Sequence, residues 1–286
     1  MNKKQFKTFA KISISLLLLY FVYTKIDLSQ IIDLFKKSNP FIIALGILFF
    51  VFSQLISSLR LNYIFHQNNF HIDHLSNLKL YFVGMFYNFF IPGGIGGDAY
   101  KVFVLNKQFS WNVKDVTKSI FYDRLIGLLA IICLLLFVGV YIFSPRIVML
   151  LVGLTLSIIF FFITKLILNR FFKSIDSIYT KSFIYSLIIQ LLQIASIICI
   201  IIAFNLDVVN YLNYCFTFLV SSISSVISFA GFGAREYVFL KASTFLSVKQ
   251  TISASIGLSF NIITAIISLI GLLFLNTKLK LVGNQT

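Results

Sequence analysis

The stretch FYNFFIPGGIGGDAYK, residues 86–101, sets Pro92 and the glycines Gly93, Gly94, Gly96 and Gly97 directly before the carboxylate of Asp98. Glycines let backbone approach a ligand closely and can turn N–H groups toward it. A half-helix opening near Gly97 would present its positive N-terminal end to an anion, and a lipid phosphate is the natural candidate. Asp98 equally fits the N-cap of that helix, a purely structural use. Asn88 and Lys101 flank the break and join Asp98 as candidate contacts to a polar ligand. The run is not a nucleotide-binding loop, because the GxxxxGK[ST] spacing is missing.

Two other patches carry charge. Asp123-Arg124 stands at the head of an apolar run in FYDRLIGLLA. Ionisable groups in membrane segments are expensive, and they pair or line a pathway; an interfacial pair at a helix end is the plainer reading here. The second patch, SFAGFGAREYVFLK (228–241), holds Gly231, Gly233, Arg235 and Glu236, the one glutamate among nine acidic residues. An arginine fork suits a phosphate. Glu236 would balance that arginine or hold the amine of a zwitterionic headgroup; the alternative is an ion pair that only orders the segment. Arg60, near the end of an apolar run, is expected to snorkel.

The remaining chemistry-bearing residues suggest less. His66, His71 and His74 with Asp73 form HQNNFHIDH, whose spacing matches no metal site, and a polar cytoplasmic loop is expected. Cys133, Cys199 and Cys215 lie far apart in apolar runs and read as small core residues. Trp111 reads as an interfacial anchor. No metal and no other cofactor is expected. No nucleophile elbow and no HExxH motif is present, so the chain is not expected to be an enzyme.

The elements that position these residues follow from composition. Of 286 residues, 59% are hydrophobic and 12% charged, against about 25% charged in soluble domains. The expected fold is an all-α polytopic membrane protein. Runs long enough to span lie at about 6–24, 40–63, 118–144, 147–167, 182–204 and 250–275. Pro40 and Pro145 sit near helix starts, where proline is tolerated. The basic start and apolar run at the N-terminus are expected to be an uncleaved first span, because no small-x-small cleavage site follows. Segment 26–38 has apolar residues at helical spacing and is expected to lie flat on the outer surface.

Two more apolar regions, about 77–108 and 211–246, are broken near their centres. Lys3, Lys4, Lys7 and Lys11, then Lys107, Lys114 and Lys118, then Lys165, Arg170, Lys173 and Lys181, then Lys278 and Lys280 cluster on what must be the cytoplasmic side. That bias holds only if each broken region enters and leaves on one face. They are therefore expected to be two re-entrant broken helices, the first opening to the cytoplasm and the second outward, beside six full transmembrane helices. Both termini are expected in the cytoplasm and the protein in the cell membrane. The net charge of +15 then belongs to positive-inside loops and anionic headgroups. Nucleic acid is not an expected partner, since no basic soluble domain exists to carry it.

Gly94-Ile95-Gly96-Gly97-Asp98-Ala99-Tyr100 falls on Gly231-Phe232-Gly233-Ala234-Arg235-Glu236-Tyr237 at an offset of 137 residues, and the same offset superposes the expected spans. An odd number of spans per half predicts an inverted-topology repeat, 1–144 and 145–286, within a single membrane domain, 1–286. Inverted repeats with broken helices are a transporter architecture.

FYNFFIPGGIGGDAYK, YDRLIGLLA and GFGAREYVFL together resemble the lysylphosphatidylglycerol synthase transmembrane-region family, also described as flippase-like. The motifs occur in the family's order over nearly the whole chain. Phe229, Ala230 and Gly231 stand where the family often has Pro-Gly-Gly. The resemblance implies a bundle with paired re-entrant helices that moves aminoacylated phospholipids from the inner to the outer leaflet, and other members stand near glycolipid and surface-polysaccharide pathways. The soluble domain that makes the aminoacyl lipid is not expected here. The expected function is a lipid flippase-like protein that passes a phospholipid or lipid-linked headgroup between leaflets through a polar midplane cavity. The glycine break with Asp98 would form one wall and Gly231 to Glu236 the other. Arg124 and Arg235 would hold the phosphate, while Asp98, Asp123 and Glu236 balance them or hold a cationic headgroup. The expected partners are membrane lipids, anionic or zwitterionic, together with a lipid-modifying enzyme or a second copy of the chain. Two alternatives stay open: a membrane-embedded glycosyltransferase-type enzyme, and an accessory protein for glycolipid or cell-surface polysaccharide assembly.

Overall fold

Apolar runs of this length become helices because a helix satisfies its own backbone hydrogen bonds where no water can. A computed structural model describes residues 32, 36–90, 96–144, 146–171, 176–206, 211–224, 233–275 and 281–283. The expected first span (6–24), most of segment 26–38, Pro145, and the glycines Gly93, Gly94 and Gly231 lie outside the described residues.

The described helices are α1 (Pro40–Gln67), α2 (His74–Phe90), α3 (Gly96–Phe109), α4 (Val113–Phe143), α5 (Ile147–Phe171), α6 (Asp176–Ala203), α7 (Tyr211–Ser224), α8 (Ala234–Lys241), α9 (Gln250–Ser268) and α10 (Ile270–Leu275). Five stretches are long and apolar enough to cross a membrane: α1, α4, α5, α6 and α9 continued through α10. They match the five expected spans that fall on described residues. By contrast α2, α3, α7 and α8 have 17, 14, 14 and 8 residues, short of the roughly 20 that a span requires.

Helix starts follow local chemistry. Pro40 opens α1, and the Asn39 side chain accepts from the Phe41 N–H at 3.0 Å. Asp73 accepts from the N–H groups of Leu75 and Ser76 at the start of α2, and Asn112 accepts from Lys114 N at the start of α4. Small residues set close helix contacts. A Cβ on Gly153 of α5 would stand 2.5 Å from the Phe137 carbonyl oxygen of α4, and Ser157 donates to the Cys133 carbonyl at 2.9 Å.

The described residues fall into two compact units. One takes the described parts of Met1–Val51, Phe86–Gly96 and Leu192–Leu269; the other takes those of Phe52–Met85, Gly97–Leu191 and Ile270–Thr286. In the first, α8 packs on α7 and α9, and the Ser253 hydroxyl donates to the Phe239 carbonyl. In the second, a buried cluster gathers Leu61, Phe65, Phe70, Leu105, Phe109 and Trp111. Trp111 is 1% exposed and stacks on Phe109 at 4.7 Å. The interfacial anchor expected at Trp111 is therefore corrected to a core residue, packed among the rings of Phe65, Phe70 and Phe109. Residues 281–283 lie along the loop before α2: Ile72 bridges Gly283, and Asp73 N donates to the Val282 carbonyl at 2.9 Å. All three cysteines are buried and unpaired, as expected of core residues.

Candidate functional site

The second unit gathers charge around the start of α3. Asp98 is the third residue of α3, so it is not that helix's N-cap, although its carboxylate still sits in the first turn where the helix dipole favours it. That carboxylate accepts a close hydrogen bond from Arg124 Nε of α4, and Lys101 Nζ stands 3.6 Å away. Lys101, one turn along α3, is 5% exposed and lies 5.0 Å over the Tyr81 ring of α2. The Tyr81 hydroxyl in turn donates to Gln54 of α1 at 3.1 Å.

Glycine makes this packing fit. A Cβ on Gly97 would collide with the Gly84 backbone, and one on Gly84 would collide with the Lys101 side chain. The part of the break that is described thus serves close approach of α2 and α3. Gly96 is the first residue of α3, and Asn88 is partly buried in the last turn of α2.

Asp123 does not pair with its neighbour Arg124. Successive helical residues point about 100° apart, so the two reach different partners. Asp123 is 9% exposed and takes a two-pronged contact from Arg60 of α1, Nε to Oδ1 at 2.7 Å and Nη2 to Oδ2 at 3.1 Å. Arg60 Nη1 donates to the Ser186 hydroxyl of α6 at 2.7 Å. The snorkelling expected of Arg60 from its place near a span end is therefore corrected. Arg60 is buried at 9% exposure because a carboxylate and a hydroxyl satisfy it within the helices. Gly127, one turn past Asp123, leaves room for it: a Cβ there would stand 3.2 Å from Arg60 Nη1.

Three cations, Arg60, Lys101 and Arg124, therefore meet two carboxylates, Asp98 and Asp123. Among the described residues of this cluster the cations outnumber the carboxylates by one. The extra positive charge is best presented at Arg124, whose side chain is 47% exposed while those of Asp98 and Lys101 are 15% and 7%. Chemically, a guanidinium fixed at Nε with its outer nitrogens turned outward is able to take one anionic group.

The first unit arranges Arg235 and Glu236 otherwise. Gly233, at φ 80°, precedes α8 in a conformation that favours glycine, and its N–H donates to Glu236 Oε2 at 2.9 Å. Glu236 Oε1 accepts from Asn261 Nδ2 of α9 at 2.9 Å, and Asn261 Oδ1 accepts from Arg235 Nη1 at 2.8 Å. The two charges meet through one amide rather than each other. The guanidinium lies 4.5 Å from the Phe260 ring centre and 5.4 Å from that of Phe218. Arg235 is 7% exposed and Glu236 1%. The two charges balance, both residues are buried, Arg235 Nε has no hydrogen-bond partner among the described residues, and Glu236 acts as the cap of α8.

Asn261, Ser186, Tyr81, Gly84 and Gly127 were not singled out from sequence. An asparagine midway along an apolar helix is a signal that marks Asn261; nothing distinguishes Ser186 from the many other serines. His66 contacts the His71 and His74 rings at 5.1 and 6.1 Å and meets the Ile72 carbonyl. No group of three or more metal-ligating side chains occurs among the described residues.

No curated protein and no solved structure matches the chain. The family model described as lysylphosphatidylglycerol synthase TM region matches residues 8–272, a range that contains all three motifs and both charged sites. With five apolar helices able to cross a bilayer, the chain is a multi-pass membrane protein and belongs to the lysylphosphatidylglycerol synthase TM-region family.

Proposed function

We propose that this protein moves a phosphate-bearing lipid between leaflets, as a translocator in the cell membrane and not an enzyme. The observation that carries the reading is the unbalanced cluster of Arg60, Asp98, Lys101, Asp123 and Arg124, set among helices that cross the membrane. A net charge beside lipid is costly unless an anion visits it. Arg124 receives the phosphate, Asp98, itself paired with Lys101, holds Arg124 in place, and the Arg60–Asp123 pair fixes α1 against α4.

The broken regions 77–108 and 211–246 are read as re-entrant, related as the two halves of an inverted repeat (1–144 and 145–286) of one membrane domain, with both termini cytoplasmic. The short helices on either side of residues 91–95 and 225–232 support that reading. Glu236 and Arg235 are assigned to holding the second broken region rather than to the lipid. The family name favours a phospholipid, and a lipid-modifying enzyme or a second copy remains the proposed partner.

Reconstitution of the full chain into vesicles tests this. Fluorescent phosphatidylglycerol, a polyprenyl phosphate and neutral diacylglycerol are followed for protein-dependent movement. Faster movement of one or both phosphate lipids, with diacylglycerol unchanged, is the expected result. No acceleration of any phosphate lipid by folded protein overturns the reading.

A further inference from the structure

Away from the charged cluster, α4, α5 and α6 enclose a groove of about 420 Å³ lined by Leu134, Ile158, Phe162, Thr180, Ile184 and Leu187. Its floor is firm, because Cys133 and Phe183 belong to a buried cluster shared with Ile64, Tyr122 and Tyr179. Ser157, which also lines it, gives its hydroxyl to the Gly153 and Cys133 carbonyls. A groove offering so few free polar atoms suits hydrocarbon, not water. It also lies where hydrocarbon is: only 11% of the most apolar stretch of α5 is buried, the lowest share of the five spans.

One end of the groove is charged. Helical spacing carries the row Ile158, Phe162 onward to Lys165, and the row Ile184, Thr180 back to Asp176. Lys165 Nζ stands 3.3 Å from Asp176 Oδ1, and Asn169 Nδ2 donates to the same oxygen at 2.8 Å. Asn169 Oδ1 is buried with no partner among the described residues. Arg170, in the last turn of α5, and Lys181, beside Thr180 with its Nζ 4.6 Å over the Tyr63 ring, are both exposed. Lys165 thus meets one carboxylate at the mouth of an apolar slot, with Arg170 and Lys181 on adjoining turns of the same two helices. Basic mouths between membrane helices are suited to anionic headgroups.

We propose that this groove is a resident-lipid site, which holds an acyl chain of an anionic phospholipid with the phosphate at Lys165. It is separate from the proposed translocation site, and Asp176 competes with the phosphate for Lys165. Ser186, which meets Arg60, and Leu187, which lines the groove, are adjacent in α6 and face different ways.

Native mass spectrometry of the full chain, exchanged into micelles with equal phosphatidylglycerol and phosphatidylcholine, tests the site without any transport readout. Wild type is expected to retain phosphatidylglycerol selectively. Ile184→Trp, which fills a groove position that is 52% exposed, and Lys165→Gln each lower that occupancy about fivefold. Asp176→Asn keeps an acceptor for Asn169 and raises it. Equal retention of phosphatidylcholine means non-selective annular lipid and overturns the proposal. So does unchanged occupancy in Lys165→Gln, a substitution at the groove mouth that leaves the buried floor intact.

Discussion

Two charged sites follow the two glycine breaks, and they are built on opposite logic. After the first, three cations face two carboxylates, and the odd charge sits on the half-exposed Arg124. After the second, one arginine and one glutamate are closed off through Asn261 and two phenylalanine rings, with both charged residues almost fully buried. A buried, neutral site resists solvent. An open site with surplus charge is able to take an anion. Similar short motifs thus serve as scaffold in one unit and as candidate seat in the other.

The largest expected break in this comparison is Asn261→Leu. It strips one hydrogen bond each from the buried Arg235 and Glu236, at about 2–6 kcal/mol together. Most of the protein should be lost as a monodisperse peak on size exclusion in detergent. Recovery at wild-type level would show that the second site is not a scaffold.

Next comes Asp123→Leu, which orphans Arg60 and should destabilise by about 3 kcal/mol. Adding Arg60→Met should restore most of the unfolding midpoint, since both ends of the pair are then apolar. A double variant as unstable as the single one would mean that Arg60 is held chiefly by Ser186.

Gly97→Ala forces a Cβ into the Gly84 backbone and should cost about 1–3 kcal/mol through overpacking. A wild-type midpoint would show that α2 and α3 part easily.

The smallest effect on stability belongs to Arg124→Gln, under about 1 kcal/mol because half of that side chain is already exposed.

The spans were legible because apolar length is a one-dimensional property that a membrane reads directly. All five expected spans on described residues are helices, with limits that differ from the expected ones by up to six residues. Charge pairing was not legible, for a geometric reason. Asp123-Arg124 and Arg235-Glu236 look like pairs on paper, yet neighbours on a helix diverge, so each side chain meets a residue from another element. Asp123 finds Arg60, 63 positions away, and Glu236 finds Asn261, 25 away. Those partners depend on how helices rotate and cross, which small residues such as Gly84, Gly97 and Gly127 decide. Arg60 misled because its distance from a span end says nothing about the carboxylate and hydroxyl that neighbouring helices bring to it.

The central claim is that the surplus charge at Arg124 seats the lipid phosphate. Its most direct test is the rate of phosphate-lipid movement by Arg124→Gln, compared with wild type at equal folded protein in vesicles. Loss of a charge-assisted contact should slow movement about tenfold or more, with the unfolding midpoint almost unchanged. Movement at the wild-type rate would contradict the account.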